Sequence, residues 1–204
     1  MKKEIDRYLS TDFNLIEIIQ PDENKISDVI KLLLEPDGVH GQGVLFLKIF
    51  LKKLEGFTNK DIFIDFSKVE IEREKTTSLL KDKENRRIDL LIKSDSYVIG
   101  IENKPWAGEQ ENQLEDYFNY LKELSGSKEF LLIYLHGFGE KPKSISEKTV
   151  EKNSDKFLFT SYRKFLIPWL NDCYKECESQ KVRFFLKDFK EWILKNFRDI
   201  EEGN

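Results

Sequence analysis

The sequence predicts an α/β fold in which helices cover a mixed central sheet, and three observations lead there. Apolar residues recur at helical spacing in the first quarter of the chain and again from Glu109 onward. Between these stretches the period drops to two, with a hairpin pattern from Ile88 to Lys104. A short apolar run, Phe130 to Leu135, then follows the central helical stretch. The order is helices, three strands, helix, strand and further helices, which is how helices come to be layered on a sheet.

Each element has its own signal. From Lys25 to Leu34, the apolar residues Ile26, Val29, Ile30, Leu33 and Leu34 share one helical face, and Pro36-Asp37-Gly38 ends the run. After a second break at His40-Gly41-Gln42-Gly43, Val44 to Leu54 is again helical, with Leu45, Phe46, Ile49, Phe50 and Leu54 on the buried side. Ile62-Phe63-Ile64 and Val69 to Glu74 read as extended. In the second of these, Val69, Ile71 and Arg73 lie on one face and Glu70, Glu72 and Glu74 on the other. Lys81 to Arg87 reads as a polar connection. Ile88 to Ile92 and Tyr97 to Lys104 form a hairpin about the turn Lys93 to Ser96. Pro105-Trp106-Ala107-Gly108 closes it. Glu109 to Leu124 is helical through Leu114, Tyr117, Phe118, Leu121 and Leu124. Phe130 to Leu135 is a buried strand, Gly137 to Lys143 a loop, and Phe157 to Thr160 a further strand. Helices around Phe165 to Cys177 and Val182 to Phe197 complete the chain.

Composition bounds the function. The 204 residues suit one domain over 1–204, and 39% hydrophobic content is enough for a real core, which excludes a disordered chain. The net charge of −4 is not that of a basic nucleic-acid binder. Net charge averages over all faces, however, and a cation site needs acids locally. Basic clusters at Lys52-Lys53, Lys81 to Arg87 and Lys187 to Arg198 read first as solvated surface. Cys173 and Cys177 share a helical face without the partners of a zinc site, and a reduced pair suits a cytoplasmic location. Met1 to Ser10 has no apolar stretch behind it, so no signal peptide is expected. The run Phe130 to Leu135 is too short to span a bilayer, so no membrane partner is expected.

The chemistry concentrates in the hairpin. Asp89 stands in the apolar strand Ile88-Asp89-Leu90-Leu91-Ile92, where alternation pairs its face with Leu91 and sends Ile88, Leu90 and Ile92 the other way. Burying a carboxylate without a partner is costly. The next strand, Gly100-Ile101-Glu102-Asn103-Lys104, sets Glu102 and Lys104 on one face. If the strands are neighbours, two carboxylates and an ammonium converge. Anionic oxygens on a rigid sheet suit a hard divalent cation such as magnesium, with manganese able to substitute, and the Asn103 carbonyl could add a ligand. Such a cation lowers the pKa of a bound water and neutralises phosphodiester charge. Lys104 could orient or deprotonate that water, or stabilise transition-state charge. A buried salt bridge without chemistry is the other reading of the same spacing.

The pattern resembles the PD-(D/E)xK nuclease superfamily. The likeness extends to one prokaryotic branch that carries an R-I-D strand, an I-E-N-K strand and a Q-L-x-x-Y helix. Here these are Arg87-Ile88-Asp89, Ile101-Glu102-Asn103-Lys104, and Gln113-Leu114 with Tyr117. The flanks are similar as well: Asn24 to Leu51 at the start, then Phe130 to Ser146, and Ser161-Tyr162 through Ile167-Pro168-Trp169-Leu170. The family proline is absent before Asp89, where Arg87-Ile88 stands instead. The resemblance implies a restriction-endonuclease-like αβββαβ core over about 22–162, with a C-terminal helical extension over about 163–200. It implies Asp89 and Glu102 as metal ligands, Lys104 as the catalytic lysine, and Gln113 facing the site toward water or phosphate. The implied partner is nucleic acid, DNA ahead of RNA, and a homodimer or a further protein partner is compatible with it.

Auxiliary candidates are Glu72 on the strand before the hairpin, Glu23 at the start of the first apolar helix, and His40 in its loop. Each has a plainer role: a solvated strand residue, an acid favoured by the helix dipole, and a ring that orders the loop by hydrogen bonding. Trp106 could stack on a base or cap the core, where large aromatics are commoner. No P-loop and no Ser or Cys nucleophile with a nearby histidine pattern is present. The functional alternatives are therefore a metal-dependent nuclease, and a catalytically inactive nuclease-fold protein that binds nucleic acid or a protein partner.

Overall fold

Among the described residues, five strands form one mixed sheet in simple sequence order, β1-β2-β3-β4-β5. The computed structural model describes residues 6–7, 10, 12–76, 86–106 and 108–200. The strands are β1 (Glu70–Thr76), β2 (Arg87–Lys93), β3 (Tyr97–Lys104), β4 (Glu129–His136) and β5 (Phe157–Ser161). β1, β2 and β3 are an antiparallel meander, and β3, β4 and β5 run parallel. The helices are α1 (Leu15–Ile19), α2 (Glu23–Leu34), α3 (Leu45–Thr58), α4 (Gln113–Ser125), α5 (Glu147–Lys152), α6 (Ile167–Glu176) and α7 (Gln180–Asn196). This is the α/β architecture expected, an open mixed sheet flanked by helices. Most of the polar connection Lys81 to Arg87, most of Met1 to Ser10, and Ala107 lie outside the described residues.

Two apolar layers sandwich the sheet. On one side, Leu90, Ile92, Ile99, Ile101, Leu131 and Ile133 pack with α2, α3, α6 and α7. Trp169, Phe189 and Trp192 belong to this larger cluster, so the last two helices complete the main core. On the other side, α4 covers Leu91, Val98, Leu132 and Tyr134 through Leu114, Tyr117, Phe118 and Leu121. α4 lies so close that a Cβ at Gly100 would fall 2.4 Å from Ile88 Cδ1 and 2.7 Å from Leu121 Cδ1, which explains a glycine in the middle of β3.

Local chemistry sets the boundaries. Asp22 caps α2 by accepting from the Lys25 N–H at 2.8 Å, which places Glu23 in the first turn. α4 begins at Gln113, not at Glu109 as the periodicity suggests. The Glu109 carboxylate instead accepts the Lys143 and Ser144 N–H groups at 3.0 and 2.8 Å, and Asn112 adopts a left-handed φ of 55°. Ile62-Phe63-Ile64 joins no strand; the Glu55 carboxylate takes the Ile62 N–H at 2.9 Å. One π-helical turn, Tyr162–Leu166, precedes α6. The short helices α1 and α5 were not foreseen: five and six residues are too few to show a helical period.

The alternation in β2 also differs at one residue. Ile88 packs under α4 with Leu91, not opposite it. The β2–β3 register runs from Lys93↔Val98 to Leu90↔Ile101 and stops there. Beyond Leu90, β2 has left the β3 ladder, and Ile88 is free to turn beneath Leu121.

Candidate active site

The end of the β2–β3 ladder is where the polar residues gather. The Asp89 side chain takes over where the register stops: Oδ2 accepts the Asn103 N–H at 2.8 Å. Arg73 on β1 backs the same residue. It donates to the Asp89 carbonyl at 2.9 Å, lies 3.7 Å from Asp89 Oδ1, and holds Asp28 of α2 at 2.9 Å. Glu102 and Lys104, two apart on β3, form a pair at 2.8 Å (Nζ to Oε1). The Lys104 amine also donates to Glu23 Oε1 at 2.8 Å, which ties β3 to the first turn of α2. Asp89, Glu102 and Lys104 are all nearly buried.

Gln113, at the first position of α4, uses its side-chain amide fully. Nε2 donates to Glu102 Oε1 at 2.8 Å and to the Tyr117 hydroxyl at 3.1 Å, while Oε1 accepts the Gln110 N–H at 3.1 Å. Tyr117 in turn donates to the Arg87 carbonyl at 2.6 Å. On the opposite face of β3, the Asn103 side chain makes a second bolt. It donates to Ser27 Oγ at 2.8 Å and accepts from the Tyr162 hydroxyl at 2.6 Å, joining α2, β3 and the residue after β5.

Electrostatics make the cluster unusual. Burial raises the Asp89 pKa from 3.8 to about 6, in spite of the Asn103 N–H and the nearby Lys104 charge. Burial, reinforced by Asp89, pushes Glu102 well above the ordinary carboxylate range. Burial works to lower the Lys104 pKa, but Glu102, Glu23 and Asp89 together outweigh it, and the net shift is upward. Among the described residues, nothing donates to the second Glu102 oxygen, Oε2, which is buried. Leaving a buried carboxylate oxygen unpaired is costly, and such an atom calls for a cation or water.

A small hard cation fits these donors. Among the described residues, no group of three or more His, Cys, Asp or Glu side chains is arranged to hold a metal. Two carboxylates, one with an unpartnered oxygen, suit an ion such as magnesium, which keeps much of its own water. A surface cleft of about 710 Å³ elsewhere on the protein is lined by Lys52, Lys53, Phe57 and Asp172.

The structure brings together Asp89, Glu102, Asn103, Lys104, Gln113 and Glu23. It does not bring in Glu72, which the register sets opposite Leu91, with its carboxylate 3.4 Å from the Lys93 amine. His40 also stands apart. Its Nδ1 accepts the Gln42 N–H at 3.0 Å, its Nε2 lies 2.9 Å from the Glu35 carbonyl, and its ring packs on Phe46. It orders its loop. Three members escaped sequence reasoning: Arg73, Ser27 and Tyr162. Arg73 had a faint signal, as a lone arginine on the apolar face of Val69 and Ile71. Ser27 and Tyr162 fell only within the flanks of the resemblance, because their role depends on contacts across 76 and 59 residues.

The sequence model of the PD-(D/E)XK nuclease superfamily matches residues 13–191, most of the chain, and the protein belongs to that superfamily. Nucleases of this superfamily generally use divalent metals and act on nucleic acid. Neither the curated proteins nor the solved structures include a match to the chain. Among the described residues, no helix is long and apolar enough to cross a membrane.

Proposed function

We propose that this member of the PD-(D/E)XK nuclease superfamily is a metal-dependent phosphodiesterase that cuts nucleic acid, DNA ahead of RNA, with Asp89, Glu102 and Lys104 at its catalytic centre. The observation that carries the reading is the convergence of Asp89 and Glu102 beside Lys104, with Glu102 Oε2 buried and, among the described residues, without a donor. Magnesium is the proposed cation, manganese substituting, held by Asp89, Glu102 and the Asn103 carbonyl. When bound, it supplies Lewis-acid charge to the phosphodiester and a more acidic water.

The chain's own residues do the rest. Lys104, fixed by Glu102 and Glu23, is held protonated and so acts as a donor to the attacking water or to charge growing on the phosphate. Gln113 keeps Glu102 turned into the site, and Arg73 keeps the Asp89 backbone in place. A vestigial salt bridge would not need to keep every residue type the chemistry requires, nor leave a carboxylate oxygen buried and unmet.

The test is cleavage of mixed DNA substrates by purified protein with magnesium, with manganese and with chelator, alongside Lys104→Ala and Glu102→Ala. Metal-dependent cutting lost in both variants is the expected result. Cutting that persists in both variants sinks the assignment. No cutting by any of the proteins shifts weight to a binding role or to an RNA substrate.

A further inference from the structure

β3 ends at Lys104 in the acid cluster, and Trp106 follows in a bend two residues on. The chain has three tryptophans. Trp169 and Trp192 are buried at 0% and 3% exposure, whereas Trp106 is 43% exposed. Its ring rests on Phe197 with centroids 5.8 Å apart, and Phe197 is itself fixed by Phe138, Tyr162 and Trp192 at 5.4, 4.7 and 5.5 Å. The backbone that carries the indole is also pinned. The Gly137 N–H donates to the Lys104 carbonyl at 2.8 Å. Pro105 O approaches so closely that a Cβ at Gly137 would lie 2.0 Å from it. The bracing segments bear exposed cations: Lys141 and Lys143 in the loop held by Glu109, and Arg198 directly after Phe197.

An exposed indole, backed by aromatics and two residues past Lys104, has the makings of a stacking platform for a base. We propose that Trp106 stacks on an unpaired nucleobase next to the phosphodiester to be cut beside Asp89 and Glu102, so that substrate is taken as single-stranded nucleic acid or as an unpaired end. This rests on the nucleic-acid reading above. Within a duplex each base is already stacked on its neighbours, and the indole would have to displace one of them. A single strand offers a free face at no such cost.

The test uses the full chain in chelator, titrated with a short oligothymidylate and with its duplex with oligoadenylate. Tryptophan emission and the anisotropy of a labelled strand are read together. Since Trp106 is the exposed tryptophan, quenching reports contact at that position. The expected result is quenching by the single strand and much less by the duplex. Trp106→Ala should abolish the quenching and weaken single-strand binding by roughly 5- to 100-fold, the range for losing one stacked base. Trp106→Phe, which keeps a ring against Phe197, should bind within a few-fold of the wild type and guards against a folding defect in the alanine variant. Oligothymidylate binding without quenching overturns the proposal. So do equal binding by Trp106→Ala, equal quenching by the duplex, and no binding of either form. Lys104→Ala separates this idea from the nuclease reading. Quenching kept by Lys104→Ala, with no cutting of DNA by the wild type, leaves stacking standing and shifts weight from DNA cleavage to a binding role or an RNA substrate. Cutting by the wild type with unchanged binding by Trp106→Ala does the reverse.

Discussion

Replacing Asp89 by asparagine removes a charge and leaves the shape of the side chain. The substituted amide oxygen can still accept the Asn103 N–H that Asp89 Oδ2 accepts at 2.8 Å. In the metal-free protein, burial raises the Asp89 pKa from 3.8 to about 6. At roughly 1.4 kcal/mol per tenfold change in proton affinity, that rise makes the ionised form about 3 kcal/mol less favourable in the fold than in the unfolded chain. The folded state holds this proton more tightly, so it binds more protons than the unfolded state between pH about 3.8 and about 6. This contribution to stability therefore falls as pH rises through that window. Asp89→Asn should be more stable than the wild type by about 1–3 kcal/mol near neutral pH in chelator. For a chain of this length that is a Tm higher by roughly 3–10 °C. The difference should shrink toward zero near pH 4. Urea melts of both proteins at about pH 4, 6 and 7.5 measure it. An asparagine variant that is less stable at neutral pH, or a difference that ignores pH, would refute the idea that this carboxylate is held in an unfavourable state.

Magnesium or manganese should stabilise the wild type by about 2.7 kcal/mol at a hundredfold excess over Kd, seen as a concentration-dependent rise in Tm, and should leave Asp89→Asn unmoved; scanning calorimetry decides it. Gln113→Ala removes the donor to Glu102 Oε1 and to the Tyr117 hydroxyl. It should lower metal-dependent cutting by about 10- to 100-fold while costing only about 1–2 kcal/mol of stability; activity and urea melts measured side by side would expose a purely structural role. Gly100→Ala drives a methyl into Ile88 and Leu121. A cost of about 1–3 kcal/mol is expected from denaturation midpoints, and a neutral result would mean that α4 does not sit as tightly on β3 as described.

How much of this was legible in the sequence depended on chain distance. The hairpin was visible because Asp89 interrupts an apolar strand and because Glu102 and Lys104 share a face, both local patterns. The amphipathic helices were visible for the same reason. The start of α4 was misplaced because Glu109 spends its carboxylate on the backbone of Lys143 and Ser144, a contact about 34 residues long. Ile88 was put on the wrong side because strict alternation assumes that the ladder continues, and here it ends at Leu90. Glu72 could not be separated from Glu23 by type or spacing. Only the register sends one to Lys93 and only the packing of α2 brings the other to Lys104.

Asp89, Glu102, Lys104 and Arg73 all belong to the β1–β3 meander, with contacts spanning 14 and 16 residues for Asp89. Closure of the site is the work of distant chain: Glu23 reaches Lys104 across 81 residues, and Tyr162 reaches Asn103 across 59. Much of the enclosure therefore comes from a different part of the fold than the reagents. In the unfolded chain Asp89 has its ordinary proton affinity; burial in the assembled fold raises it. The proton affinity of Asp89 is accordingly a gauge of tertiary closure. A loosening that lets water reach it would register there, as a more acidic aspartate.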